Sequence, residues 1–227
     1  MKSSAPHRCL PALALCACFV AGMTYARGTV AASTPPGAQA TVTFRKVFKS
    51  SYPEYVEIRV TDAGAGTFDI RQLNEESNPH TLHLNAPLVQ SIFDLAAKLH
   101  NFDGVDLEIH RRIANLGEKT FGYDRGGESH RVTFNYTLNH EALQLLTIFE
   151  GLARQQTDLS DLDRTMHYDP LGVNDVLMQL QKDLDNKAVP EPAQFLPLLD
   201  RLAADQHFID IARDRARKLA VRIRSSS

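Results

Sequence analysis

Apolar and polar residues alternate in three segments of the first half of the chain. Over residues 41–48, Val42, Phe44 and Phe48 share one side. Over 55–61, Val56, Ile58 and Val60 alternate with Glu57 and Arg59, and over 67–73, Phe68 and Ile70 alternate with Asp69 and Arg71. A period of two belongs to a strand with one face in a core and one in water. The breaks, Ser50-Ser51-Tyr52-Pro53 and Asp62-Ala63-Gly64-Ala65-Gly66, have turn composition, so an antiparallel meander is expected.

The period then lengthens. Pro79 and Pro87 bracket a short extended piece, after which Leu88, Ile92, Leu95, Ala96 and Leu99 recur at helical spacing and predict an amphipathic helix laid on the sheet. Over 101–117, Ile109, Ile113 and Leu116 fit a short helix. Two further strands, 119–123 and 129–137, are joined by Asp124-Arg125-Gly126-Gly127, whose glycines supply the positive backbone angles of a tight hairpin. Asn139 suits an N-cap, and Leu143, Leu146, Phe149, Leu152 and Ala153 carry a helix to about Gln155. The expected fold of 41–156 is therefore α+β, an antiparallel sheet of about five strands in the order βββ-α-ββ-α.

A polar link over 156–168 is expected next, and then a wholly helical region, 170–224. Asn174 would cap a helix carrying Val176, Leu177, Leu180 and Leu184. Pro190-Glu191-Pro192 opens a second with Phe195, Leu198, Leu199 and Leu202, and Phe208, Ala212, Leu219 and Ile223 stripe a third. These helices either form a bundle of their own or pack on or beside the sheet. The second is expected, because three short amphipathic helices alone bury little apolar area.

The N-terminus changes the setting. Lys2 and Arg8 precede an uncharged apolar run, and Thr24-Tyr25-Ala26 offers the small residues of a signal-peptidase site, so residues 1–26 read as a secretory signal cleaved after Ala26, or alternatively near Ala32. The run from Cys9 to Met23 is shorter than the roughly 20 residues a membrane-crossing helix needs. Leu15-Cys16-Ala17-Cys18 also resembles a lipobox, which would place a lipid on Cys18. Residues 27–40, rich in Gly, Ala, Ser, Thr and Pro, read as a flexible linker. The expected location is periplasmic or extracellular, with lipid anchoring as the alternative. Cys9, Cys16 and Cys18 are the chain's three cysteines, so cleavage leaves a mature chain without disulfide or thiol chemistry. Loss of Lys2 and Arg8 leaves 23 basic and 27 acidic residues, moving the formal charge from −2 to −4. Such acidity argues against nucleic acid as a partner.

Candidate chemistry is sparse. Asp106, Glu108 and His110 form the densest group of potential ligands, and as a strand they would share a face suited to a divalent metal. The alternative is a polar connection whose carboxylates pair with Arg111 and Arg112. His80 and His83, three apart in an extended piece, would face opposite sides. Asp158, Asp161, Asp163 and His167 lack the glycine and final glutamate of a calcium loop and read as a solvated acidic linker. No nucleophile elbow, P-loop, dinucleotide fingerprint or zinc-protease motif occurs, and no cofactor is implied. Residues 201–227 hold seven basic and three acidic residues. This basic C-terminal helix would either meet an anionic membrane or be neutralised locally, for instance by an Asp214 to Lys218 pair.

From Thr41 to about Ala153 the order of elements resembles that of small exported bacterial proteins, among them the emfourin-type inhibitors of thermolysin-like proteases. These also place a meander before a helix, and a Gly-turned hairpin (here Tyr123-Asp124-Arg125-Gly126-Gly127, then His130-Arg131-Val132) before a last helix. The likeness covers about half the chain and is architectural. It has no counterpart for the helical third, and no inhibitory residue is carried over. The leading expectation is a non-enzymatic binding protein of the bacterial envelope whose partner is an envelope or extracellular protein. The alternatives are a protease inhibitor and a metal-dependent hydrolase built on Asp106, Glu108 and His110. Mass spectrometry of the exported protein is expected to find Arg27 as its first residue, whereas a diacylglyceryl adduct on Cys18 would establish the lipoprotein route.

Overall fold

The computed structural model describes residues 38–226. The expected signal and cleavage site, Cys18 and most of the expected linker lie outside the described residues. The protein is α+β, with a six-stranded antiparallel sheet of order β4-β3-β2-β1-β5-β6. The strands are β1 (Thr41–Val47), β2 (Tyr55–Thr61), β3 (Ala65–Arg71), β4 (His80–His83), β5 (Glu118–Arg125) and β6 (Glu128–Phe134). The alternation reads directly into the register. Val42 lies opposite Val60 and Phe44 opposite Ile58 on one side, and Phe44 opposite Phe121 on the other, so one face is continuously apolar. Gly126 and Gly127, both at positive φ, make the two-residue turn between β5 and β6. The sixth strand is the piece between Pro79 and Pro87, four residues long and paired to β3 at the sheet edge.

Two helices cover the apolar face. Helix α1 (Ala86–Lys98) starts where the Asn85 side chain accepts from the Leu88 amide at 2.9 Å, and it buries Val89, Ile92, Leu95 and Ala96. Helix α2 (His140–Tyr168) is capped in the same way by Asn139 and lays Ala142, Leu145, Phe149 and Leu152 on the sheet. Phe121 sits among Phe44, Phe102, Phe134 and Phe149, with ring centroids 5.3–6.3 Å apart.

The expected polar link over 156–168 is instead the second half of α2, which runs 29 residues. Residues 152–168 contain neither Gly nor Pro, and Leu159, Leu162 and Met166 keep the helical spacing. They meet a second apolar cluster built with α3 (Val173–Asp185), α4 (Leu196–Ala204) and α5 (Asp210–Ser226), in which Leu177, Leu180, Phe195, Leu199, Leu202, Ala212, Ala216 and Ile223 are buried. Helix α2 ends at Asp169-Pro170, where the proline disfavours helical backbone in the residue before it. Gly172, not Asn174, is the N-cap of α3. No helix among the described residues is long and apolar enough to cross a membrane.

The expected short helix within 101–117 is absent. A turn of 3-10 helix over His100–Phe102 is followed by irregular chain, with positive φ at His100, Asn101, Phe102, Gly104 and His110. Phe102 and Leu107 are buried, while Ile113 and Leu116 remain partly in water. Contacts to distant residues fix this segment. The Ile109 amide donates to the Tyr136 carbonyl, and Lys119 Nζ donates to the carbonyls of Leu116, Gly117 and Asn135 at 2.7–3.1 Å.

Between the two apolar clusters runs a polar seam. Gln155 and Gln156 are buried on α2, and Gln155 exchanges two hydrogen bonds with the Glu191 backbone, at 2.8 and 3.1 Å, while donating to Gln194 Oε1. Gln156 also donates to Gln194 Oε1, and Gln194 Nε2 donates to the His83 carbonyl. The Glu191 carboxylate accepts from Asn85 N at 2.7 Å and Asn85 Nδ2 at 3.0 Å. Gly151 lets Pro190 lie close on α2, since a β-carbon there would fall 2.9 Å from Pro190 Cγ. Replacing Gln155 by Ala strands a buried N–H and a buried C=O of Glu191. It is expected to cost about 2–4 kcal/mol, read as a lower midpoint in urea unfolding with an unchanged slope.

Candidate binding groove

The sequence candidates come together only in part. Asp106 and His110 meet, with Oδ2 2.6 Å from Nε2, and both are largely in water. The aspartate raises the imidazole above its ordinary value, and the imidazole lowers the acid. Glu108 turns away from them. Its Oε2 accepts from the Asn135 amide at 2.6 Å and its Oε1 from the Ile109 amide at 3.0 Å, and the Asn135 contact first of all holds its carboxyl below the usual range. Glu108 therefore staples the irregular segment to the end of β6. Among the described residues no group of three His, Cys, Asp or Glu is placed to hold a metal ion.

The C-terminal basic residues are largely matched. Arg201 pairs with Asp163, Arg213 with Asp210, Arg217 with Asp214, Arg222 with Asp185 and Arg224 with Asp200. Asp214 thus takes Arg217, not the expected Lys218. Five of the seven basic groups have a carboxylate beside them, which weakens the pull of this face on an anionic surface. His80 stacks on Phe68 at 5.4 Å, and Asp161 and Asp163 point from α2 to arginines.

The arrangement that does gather several chemistries lies where the β1–β2 loop approaches the middle of α2. Strand pairing stops at Phe48, whose amide still reaches the Glu54 carbonyl at 2.8 Å. Inside the loop the Ser51 hydroxyl sits 2.6 Å from both the Phe48 and Pro53 carbonyl oxygens. The Glu54 carboxylate accepts from the amides of Ser50 at 2.6 Å and Leu73 at 3.2 Å, and these contacts hold its acid below the ordinary range. The loop is thereby fixed on itself and to the segment after β3. At its tip Tyr52, joined to Pro53 by a cis bond, is 87% exposed.

Tyr52 and Pro53 divide two depressions. One, of about 380 Å³, has Phe44 and Val56 in its floor and Lys46, Glu150, Ala153, Arg154, Thr157 and Asp158 in its walls. The other, of about 230 Å³, lies between Phe68, Ile70, Arg71 and His80 of the sheet and Gln156, Ser160, Asp161 and Arg164 of α2. In the first, Lys46 Nζ lies 2.7 Å from Glu150 Oε1. The Arg154 guanidinium lies 2.9 Å from the buried Asp183 of α3, which also accepts from Gln179. Asp158 receives less. Its Oδ2 is shielded from water, has no hydrogen-bond partner, and is 4.0 Å from Arg154 Nε. Burial first, and then the neighbouring Asp183, push the Asp158 acid up to about 6.

Neither Tyr52 nor Asp158 stands out in the sequence. Tyr52 falls in a turn-like tetrapeptide, and Asp158 in a stretch that reads as solvated. The available signals were an aromatic residue inside a Ser/Pro turn and an Arg154-to-Asp158 spacing of four, which marks a helical ion pair.

With its acid raised, Asp158 contributes stability that is fully present below pH ~4 and lost as the pH rises through about 6. Asp158→Asn is therefore expected to be more stable than the parent by about 1–2 kcal/mol at pH 7.5, the full linkage being reduced by the part of the side chain that remains in water. The two should converge near pH 4 in urea unfolding, and a gap independent of pH would contradict this account. No protein-family model matches the chain, and no curated protein matches it in sequence.

Proposed function

We propose that this chain is a non-enzymatic exported binding protein of the bacterial cell envelope, and that the groove beside Tyr52 recognises its partner protein. The observation that carries the reading is an almost fully exposed aromatic side chain on a loop whose backbone is fastened by Ser51 and Glu54, set over a groove with an apolar floor. Tyrosine presents a large amphipathic surface and has few rotamers to lose, so it is enriched among the residues that dominate protein interfaces. Fixing the loop before binding removes part of the ordering cost. The charged walls on either side supply a polar rim around the aromatic anchor.

The export part of the proposal rests on the N-terminal sequence pattern, and the binding part on the groove. A metal-dependent hydrolase at Asp106, Glu108 and His110 would require Glu108 to release the Asn135 and Ile109 amides. The chain with Tyr52→Ala is expected to capture the stoichiometric envelope partner at least tenfold more weakly than the parent in a quantitative pull-down. Tyr168→Ala, which removes an equally exposed tyrosine at the end of α2, should leave capture unchanged. Equal loss in both variants, or in neither, would remove the groove from the proposal.

A further inference from the structure

Of the seven basic residues over 201–227, the two without a carboxylate beside them are Arg215 and Lys218. Both line one depression, of about 530 Å³, between α3 and α5, and that is the size of a small-molecule cleft. The charges lining it do not balance. Arg215, Lys218 and Arg222 stand against Asp214 alone, a surplus of two positive charges. Counting the partners just outside the lining leaves the surplus unchanged, because Arg217 beside Asp214 and Asp185 beside Arg222 cancel. The depression shares no residue with the Tyr52 groove.

The sequence concentrates this charge at a local cost. Residues 215, 218 and 222 are three and four apart, so they are neighbours on one face of α5, and like charges at such spacing destabilise a helix. Asp214, four residues before Lys218, is turned to Arg217 and offsets none of it. Arg215 is half-buried, its Nε is shielded from water without a partner, and its Nη1 reaches only the neutral Gln181 Oε1, at a long 3.5 Å. A cation partly withdrawn from water without a counter-charge is unfavourable until an anion joins it. Lys218 is exposed and open to that anion.

We infer that this groove binds the phosphoryl group of a phosphomonoester, with Lys218 and the outer end of Arg215 as its cations and Ile211 beside the carbon part of the ester. Such a group carries about −1.5 to −2 charges at neutral pH and so meets the surplus, whereas one carboxylate would leave a cation unmatched. Guanidinium supplies directed donors to phosphate oxygens, and ammonium supplies a compact point charge. Ile211, one turn before Arg215, lines the groove and is 57% exposed, which gives the organic part an apolar surface. The arginines around it are matched, so the attraction is confined to the groove and does not spread over the face. A soluble ester and the headgroup of phosphatidic acid present the same group.

Amide NMR of the mature chain at pH 7.5 and low salt tests this with glycerol 3-phosphate and with acetylated, amidated glutamate. Glycerol 3-phosphate is expected to shift the amides of Gln181, Arg215 and Lys218 saturably, with half-saturation at or below roughly 1 mM. The glutamate should act about tenfold more weakly, and Lys218→Gln should weaken the phosphate response by about tenfold. Arg201→Gln, which removes the same charge from a matched pair on α4, should leave it unchanged. No saturable shift up to roughly 20 mM, an equal response to the glutamate, or an equal loss in both variants would each overturn the inference. Phosphatidylcholine vesicles containing phosphatidic acid then identify the source. Sedimentation of the parent but not of Lys218→Gln assigns the group to a lipid headgroup, and a parent that stays in solution assigns it to a soluble ester. Sedimentation without any response to glycerol 3-phosphate would make α5 a general anionic-membrane surface and overturn the inference.

Discussion

Helix α2 has to serve two apolar clusters at once, and the rest of the structure follows from how it does so. Its first half closes the sheet with Leu145, Phe149 and Leu152, and its second half closes the helical region with Leu162 and Met166. Where it passes from one to the other it turns Gln155 and Gln156 inward. Buried amides require partners, and a fully matched polar network defines position more sharply than apolar contact does. The partners come from one short segment, Glu191 to Gln194, which therefore has to lie in one place. The two glutamines thus set the path of the chain between α3 and α4.

The same geometry explains what was legible in the sequence. Strands with one wet face declare themselves by alternation, and β1, β2, β3 and β6 were readable because Val42, Phe44, Val56, Ile58, Val60, Phe68, Ile70, Val132 and Phe134 obey it, whereas β5, buried on both faces over residues 119–123, was readable through its Gly126-Gly127 hairpin to β6. Helix α2 was readable up to Gln155, because the buried side of a helix is expected to be apolar and two glutamines there imitate an ending. The segment before β5 was not readable, since Glu108, Lys119 and Asn135 hold it through residues far away in sequence. The density of Asp106, Glu108 and His110 was visible, but tertiary contacts decided where each pointed. Asp158 and Tyr52 became notable through their surroundings, one by exclusion from water and the other by being kept in it.

Much of the surface charge is committed internally. Arginines of α4 and α5 meet aspartates of α2, α3, α4 and α5, and Arg71 pairs with Asp69 while lying 4.3 Å over the Tyr55 ring. Pairs of this kind contribute little each to stability, and they lower the net field of the helical region. The groove beside Tyr52 is framed by a fixed loop on one side and by α2 on the other, so its outline follows from the fold.

Asn85 gives the architecture a direction in time. One side chain caps α1 through its oxygen and grips Glu191 through its nitrogen, a contact that spans 106 residues. A chain delivered from its N-terminus can form the meander and α1 early, since their contacts are near in sequence. The seam must wait for the segment around residue 190, and closing so long a loop is slow. Until it arrives, Gln155 and Gln156 face an opening, and the second half of α2 has only α3 to lie against. The sheet core, drawn wholly from residues 40–153, can therefore close while the seam still stands open, and the helical cluster, completed by α5, is sealed last.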